Sequence, residues 1–137
     1  MSKLARSIIT AGVFVSILLT VCHAQAEFKL KGDPEAAFVY LNVKNDGGWV
    51  QALDEARVRI EKDMDWKIPT ADQVKEVVSE VTPVVERFIR RGRNIIIGSA
   101  FGYSDAFKAL SERYPEVAFL NPAGTTNGPN LQSFYAK

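Results

Sequence analysis

Two short stretches bring together residue types that could do chemistry. "KNDGGW" sets Asp46 and Gly47 ahead of Trp49, and "SAFGYSD" sets Phe101 and Tyr103 ahead of Asp105. Carboxylates accept hydrogen bonds from vicinal hydroxyls, and an indole stacks on a flat heterocycle. Together they suit a neutral, hydroxylated, aromatic ligand, of which a nucleoside is the simplest example. Glycine-rich loops that lead into helices also cradle phosphates. Here, however, "NDGGW" is not G-x-G-x-x-G, no G-K-[ST] occurs, and each loop holds an aspartate that would repel the anion. A pair of carboxylates can also perform glycosidic chemistry, which would make the chain a nucleoside or sugar hydrolase, yet nothing else in the loops suggests an activated water or a metal. Structural readings stand beside these: Asp46 and Asp105 as helix caps, Trp49 as the first core residue of its helix, Phe101 and Tyr103 as packing residues.

Composition narrows the classes further. The chain has 137 residues, 47% of them hydrophobic, with 17 basic against 16 acidic side chains. This is the balance of one globular domain, and it argues against a nucleic-acid partner. The N-terminus differs from the rest. Lys3 and Arg6 precede an apolar run from Ile8 to Val21, and Ala24, Gln25 and Ala26 follow with the small residues a signal peptidase needs. Residues 1–26 read as an export signal cut after Ala26. A membrane anchor is the competing reading, but the run is shorter than the roughly 20 residues that span a bilayer. Cleavage removes Cys22 and His23, the one cysteine and the one histidine. The mature segment, residues 27–137, then has no thiol nucleophile, no histidine base and no soft metal site, so no cofactor or metal is expected.

The elements that must position these loops follow from periodicity. "AAFVYLNV", Ala36 to Val43, is a continuous apolar run of the kind found in strands buried on both faces. From Gly48 to about Asp63, Trp49, Ala52, Leu53, Ala56, Ile60 and Met64 fall on one helical stripe, with Asp54, Glu55, Arg57 and Arg59 away from it. A weak strand is expected around Trp66 to Pro69. A helix is expected from Val74 to Arg91, in which Pro83 either follows Thr82 as cap or marks a kink. "NIIIGS" (Asn94–Ser99) reads as a strand, Asp105 to Tyr114 as a helix, Glu116 to Asn121 as a strand, and "LQSFYAK" as the start of a fifth strand. Such alternation specifies an α/β fold, a parallel sheet with helices on both faces. In open sheets of this kind ligands sit beyond the carboxyl ends of the strands. Both loops above lie there, together with "NPAGTTNG".

At these residues the chain resembles the basic membrane protein (BMP, or PnrA-like) family of substrate-binding proteins for ABC transporters. The matching stretches are "FVYLNVKNDGGWVQALDEARVRIEK", "VERFIRRGRNIIIGSAFGYSDAFKALSERYPEVAFLN" and "AGTTNGPNLQSFYAK". The chain departs at Leu53 and Ala56, where many members carry His and Gly. The resemblance implies a type I periplasmic-binding-protein fold, of which residues 27–137 would be the incomplete N-terminal lobe, with the second lobe beyond the stretch at hand. It also implies a purine nucleoside or purine base as ligand, ABC permease subunits as partners, and a location in the periplasm or on the outer face of the cytoplasmic membrane. Carried onto this sequence, the stacking role falls to Trp49 and the acidic roles to Asp46 and Asp105, while Phe101, Gly102 and Tyr103 shape the pocket wall. The alternatives are a binding protein for another small solute such as a sugar, or a truncated fragment without ligand function whose unfinished sheet edge invites self-association.

Overall fold

The computed structural model describes residues 27–135. The expected export signal, residues 1–26, lies outside the described residues. Among the latter, no helix is long and apolar enough to cross a membrane.

Strand β1 (Ala36–Val39) leads into helix α1 (Trp49–Met64), followed by β2 (Thr70–Ala71), α2 (Val78–Arg90) and β3 (Ile95–Ile97). A 3-10 turn (Phe101–Tyr103) opens helix α3 (Ser104–Arg113), and β4 (Ala118–Pro122) and β5 (Leu131–Phe134) are the last elements among the described residues. All five strands are parallel, in the order β2-β1-β3-β4-β5. Helix α1 returns the chain to one side of β1, and α2 carries it across β1 to the other. The strand order therefore reverses between β1 and β3, and the loops that leave these two strands diverge there and open a crevice.

The alternation of β1 divides the core. Ala37 and Val39 point to one face and pack with Val81, Val85 and Phe88 of α2 and Phe107 and Leu110 of α3. Ala36, Phe38 and Tyr40 point to the other, against Val50 of α1 and Ile68. The two faces are unequal. On the α2/α3 face Ile96, Phe119 and Leu131 are buried, whereas on the α1 face Ile95, Ile97, Ala118 and Leu120 remain half-exposed and Phe134 is exposed.

The α/β expectation holds, with local corrections. Strand β1 stops at Val39 rather than Val43, because Leu41 N–H turns away to the Ser99 hydroxyl (2.8 Å). Strand β2 forms at Thr70, just after the expected Trp66–Pro69; Pro69 has no N–H but its carbonyl accepts from Phe38 N–H (3.0 Å). Helix α2 begins at Val78, four residues late, since Val74 N–H is spent on Tyr40 O (2.9 Å) and Val77 is extended. Pro83 is therefore inside the helix and not in its first turn. The β4 to β5 connection is parallel yet has no helix, and Asn130 secures it by donating to Ser111 O, Tyr114 O and Val117 O (3.0, 3.0 and 2.8 Å).

Helix α1 departs furthest from the expected stripe. Its buried residues are Val50 and Arg57, while Trp49, Ile60 and Met64 are exposed. Arg57 bridges Asp54 (2.6 Å) and Glu61 (2.8 Å), and Tyr40 OH donates to Asp54 Oδ1 (3.2 Å). Burial pulls the Asp54 carboxyl up, but Arg57 outweighs it and holds the group below its ordinary value. The helix thus turns an ion-paired face to the sheet and leaves part of its apolar stripe uncovered.

A cleft at the carboxyl ends of the strands

Asp46 is the anchor of α1. Its Oδ1 accepts from Gly48 N–H (2.9 Å) and Gln51 N–H (3.1 Å), and its Oδ2 accepts from Val50 N–H (3.3 Å). Helix starts leave such donors without partners, and a carboxylate satisfies them. The Gly48 amide first, with those of Gln51 and Val50, holds its carboxyl below the usual carboxylate range. Gly47 makes the turn possible, with φ at +74°, a region that L side chains rarely adopt.

The helix start fixed in this way presents Trp49, whose side chain remains 45% exposed. The indole is not loose: its Nε1–H donates to Ser99 O at 2.6 Å. Ser99 and Ala100, just past β3, are held from three directions. Leu41 N–H reaches the Ser99 hydroxyl, Trp49 reaches the Ser99 carbonyl, and Asn121 Nδ2 of β4 donates to Ala100 O (3.0 Å). The ends of β1, α1, β3 and β4 are thereby tied to one dipeptide.

Around it lies a cleft of about 360 Å³. Leu41 and Trp49 form one side, Ser99, Ala100 and Phe101 the floor and far side, Glu76 enters from the β2–α2 connection, and Ala123 and Tyr135 close the β4–β5 side. Phe101 is 66% exposed and Tyr135 75%. The lining is aromatic and apolar with one carboxylate. A larger groove, about 590 Å³, lies at the amino ends of β4 and β5 between Phe28, Lys108 and Pro129. It lies at the opposite ends of the strands from the crossover, where open parallel sheets do not place their ligands, so we take the smaller cleft as the site.

The expected site residues are distributed unevenly. Trp49 and Phe101 line the cleft, and Asp46 and Gly47 stand behind Trp49 as its support. Tyr103 does not line it: the ring is fully buried, stacked on Phe107, and its hydroxyl donates to Val74 O (2.6 Å). Burial raises its pKa. Asp105 is exposed in the first turn of α3 and is also not part of the lining. Glu76, Leu41, Ala123 and Tyr135 join the cleft without having been singled out. Glu76 escaped because residues 74–77 read as helix, whereas they form a bent connection ahead of α2, and that connection delivers it.

Among the described residues, no group of three or more His, Cys, Asp or Glu side chains is placed to hold a metal.

Residues 34–135 match the family described as "ABC transporter substrate-binding protein PnrA-like". Two curated relatives align with the chain. TsgA13 of Haloferax volcanii, named as a candidate ABC transporter glucose-binding protein, is 29% identical over 102 residues, 74% of this chain and 26% of its own length. The purine-binding protein BAB2_0673 of Brucella abortus is 28% identical over 116 residues, 83% of this chain and 32% of its own length. The chain thus spans about a quarter to a third of the relatives it matches. Among solved structures, a solute-binding protein of an ABC transporter system from Conexibacter woesei superposes with a TM-score of 0.64 at 17% identity, covering 75% of this chain and 35% of the other. One from Aeropyrum pernix gives 0.60 at 16% identity, with 73% and 28% covered. At these identities the structures establish the fold.

Proposed function

The chain belongs to the PnrA-like family of ABC transporter substrate-binding proteins, and from that premise we propose that it supplies one wall of a binding cleft for a purine nucleoside or purine base. The observation that carries this reading is Trp49: a half-exposed indole, pinned along its N–H edge by Ser99 O, offers a ring face to a cleft at the strand crossover. A flat heterocycle fits against such a face. Phe101 and Tyr135 add aromatic surface, and the name of the Brucella relative agrees with a purine. The role is binding rather than catalysis.

In the whole protein, ligand would bridge this lobe, residues 27–137, and a second one, and the closed form would be what the permease subunits recognise. Residues 1–26 would direct export to the periplasm or the outer face of the cytoplasmic membrane. With one wall alone, little of a ligand's surface is buried, so affinity should be weak.

A sugar is the second reading, favoured by the name of the Haloferax relative. Calorimetric titration with adenosine, inosine, guanosine, adenine and glucose separates the two. Heat of binding from the purines supports the proposal, and saturation by glucose alone replaces it with the second reading. Release of free base and ribose from a nucleoside would overturn the assignment to binding.

A further inference from the structure

We infer that Glu76 is the residue by which the cleft selects an uncharged, hydrogen-bond-donating ligand over its phosphorylated form; this rests on the purine reading above. Three observations converge on it. Glu76 is the one charged side chain in the cleft lining. Its position is fixed, for Oε1 accepts from Gly102 N–H at 2.8 Å. The approach also depends on Gly102 having no side chain, since a Cβ there would lie 2.6 Å from the Glu76 Cβ.

A carboxylate held by one oxygen retains its second oxygen as an acceptor, and Oε2 has no hydrogen-bond partner among the described residues. The two aspartates expected to fill this role are placed otherwise, Asp46 under the first turn of α1 and Asp105 outside the lining. Glu76 is exposed, and as the acceptor-only group of an otherwise uncharged cleft it favours a ligand that brings a donor, an N–H of a ring edge or an O–H of a ribose. It also repels a phosphate brought into the same cleft. A nucleoside satisfies both conditions and a nucleoside monophosphate breaks the second.

The test compares adenosine and adenosine 5′-monophosphate by ligand-observed NMR, up to millimolar concentration, on the full chain and on Glu76→Gln. Glutamine keeps the length and keeps a carbonyl oxygen for Gly102 N–H, so the loop is retained. Wild type should prefer adenosine by tenfold or more. Glu76→Gln should weaken adenosine about tenfold and narrow the preference, because a charge-assisted hydrogen bond and the repulsion are lost together. Gly102→Ala, which displaces the carboxylate without changing its charge, should weaken adenosine in the same direction. If Glu76→Gln leaves both affinities within twofold while Trp49→Ala abolishes binding, this inference fails and the purine reading survives. If wild type takes up neither purine, both fall.

Discussion

Replacing Trp49 separates two contributions that one side chain makes to the cleft. Its indole face is the surface proposed to stack on ligand, and its N–H is the pin to Ser99 O. Trp49→Ala removes both. Base stacking on an aromatic side chain is worth about 1–3 kcal/mol by alanine substitution, which corresponds to roughly a 5- to 150-fold rise in Kd. Trp49→Phe keeps a ring and deletes the pin. That change should cost about 0.5–1.5 kcal/mol of net hydrogen-bond energy, roughly 2- to 12-fold in affinity if the loss falls wholly on the bound state. Because the indole is nearly half exposed, little core packing disappears, and thermal unfolding should shift by only a few degrees for either variant. Adenosine titration by calorimetry, with thermal melts on the same samples, reads both effects. The order expected is wild type, then Phe, then Ala. Equal losses for Phe and Ala would mean that the tie to Ser99, and not the ring face, carries the effect; an unchanged Kd in Trp49→Ala would falsify the stacking role outright.

Asp46→Ala should lower the melting temperature, because the amides of Gly48, Val50 and Gln51 lose their acceptor, and should weaken adenosine binding indirectly because Trp49 stands on that turn; a melt and a titration on one sample check both. Tyr103→Phe should destabilise by about 1–2 kcal/mol, since Val74 O loses its buried donor, while leaving adenosine affinity unchanged; an affinity change would return Tyr103 to the cleft. Acid should destabilise the fold. The carboxyls of Asp46, Asp54 and Glu61 are all lower in the folded chain than in the unfolded one, so their stabilisation is complete above the ordinary carboxylate pKa of about 4 and is lost as pH falls through the lower folded values. Urea midpoints measured from pH 7 down to pH 3 should fall below pH 4, and a midpoint that rises there would refute the assignment.

Much of the fold was legible because apolar runs and helical spacing repeat in a regular order. "NIIIGS" and "EVAFLN" became β3 and β4 almost as expected, and α1 began and ended within a residue of its expected bounds. The orientation of α1 was not legible. Its apolar stripe is strong, but a buried Arg57 satisfied by Asp54 and Glu61 takes the inward face, and pairing of that kind leaves no periodic mark in the sequence. The start of α2 was hidden for a different reason: Val74 and Val77 obey helical spacing, while a bond from Val74 to Tyr40, 34 positions earlier, keeps this stretch out of the helix. The same long-range constraint explains the candidate site. Trp49 and Phe101 could be placed from their loops alone, whereas Glu76 enters the cleft only through that non-helical connection, and Tyr103 leaves it because its hydroxyl finds Val74 O.

The unequal coverage of the sheet bears on how the molecule opens. The α2/α3 side has one broad buried core, while α1 rests on a small cluster and an ion-paired face. Fewer buried apolar contacts mean a lower local opening free energy. Backbone amides of α1 should therefore exchange with deuterium through a sub-global opening that leaves β3, α3 and β4 protected. Trp49 and the Asp46 cap belong to that same looser unit. Any ligand that grips the indole must hold α1 closed as well, and its binding would be read most sensitively as slower exchange along the helix.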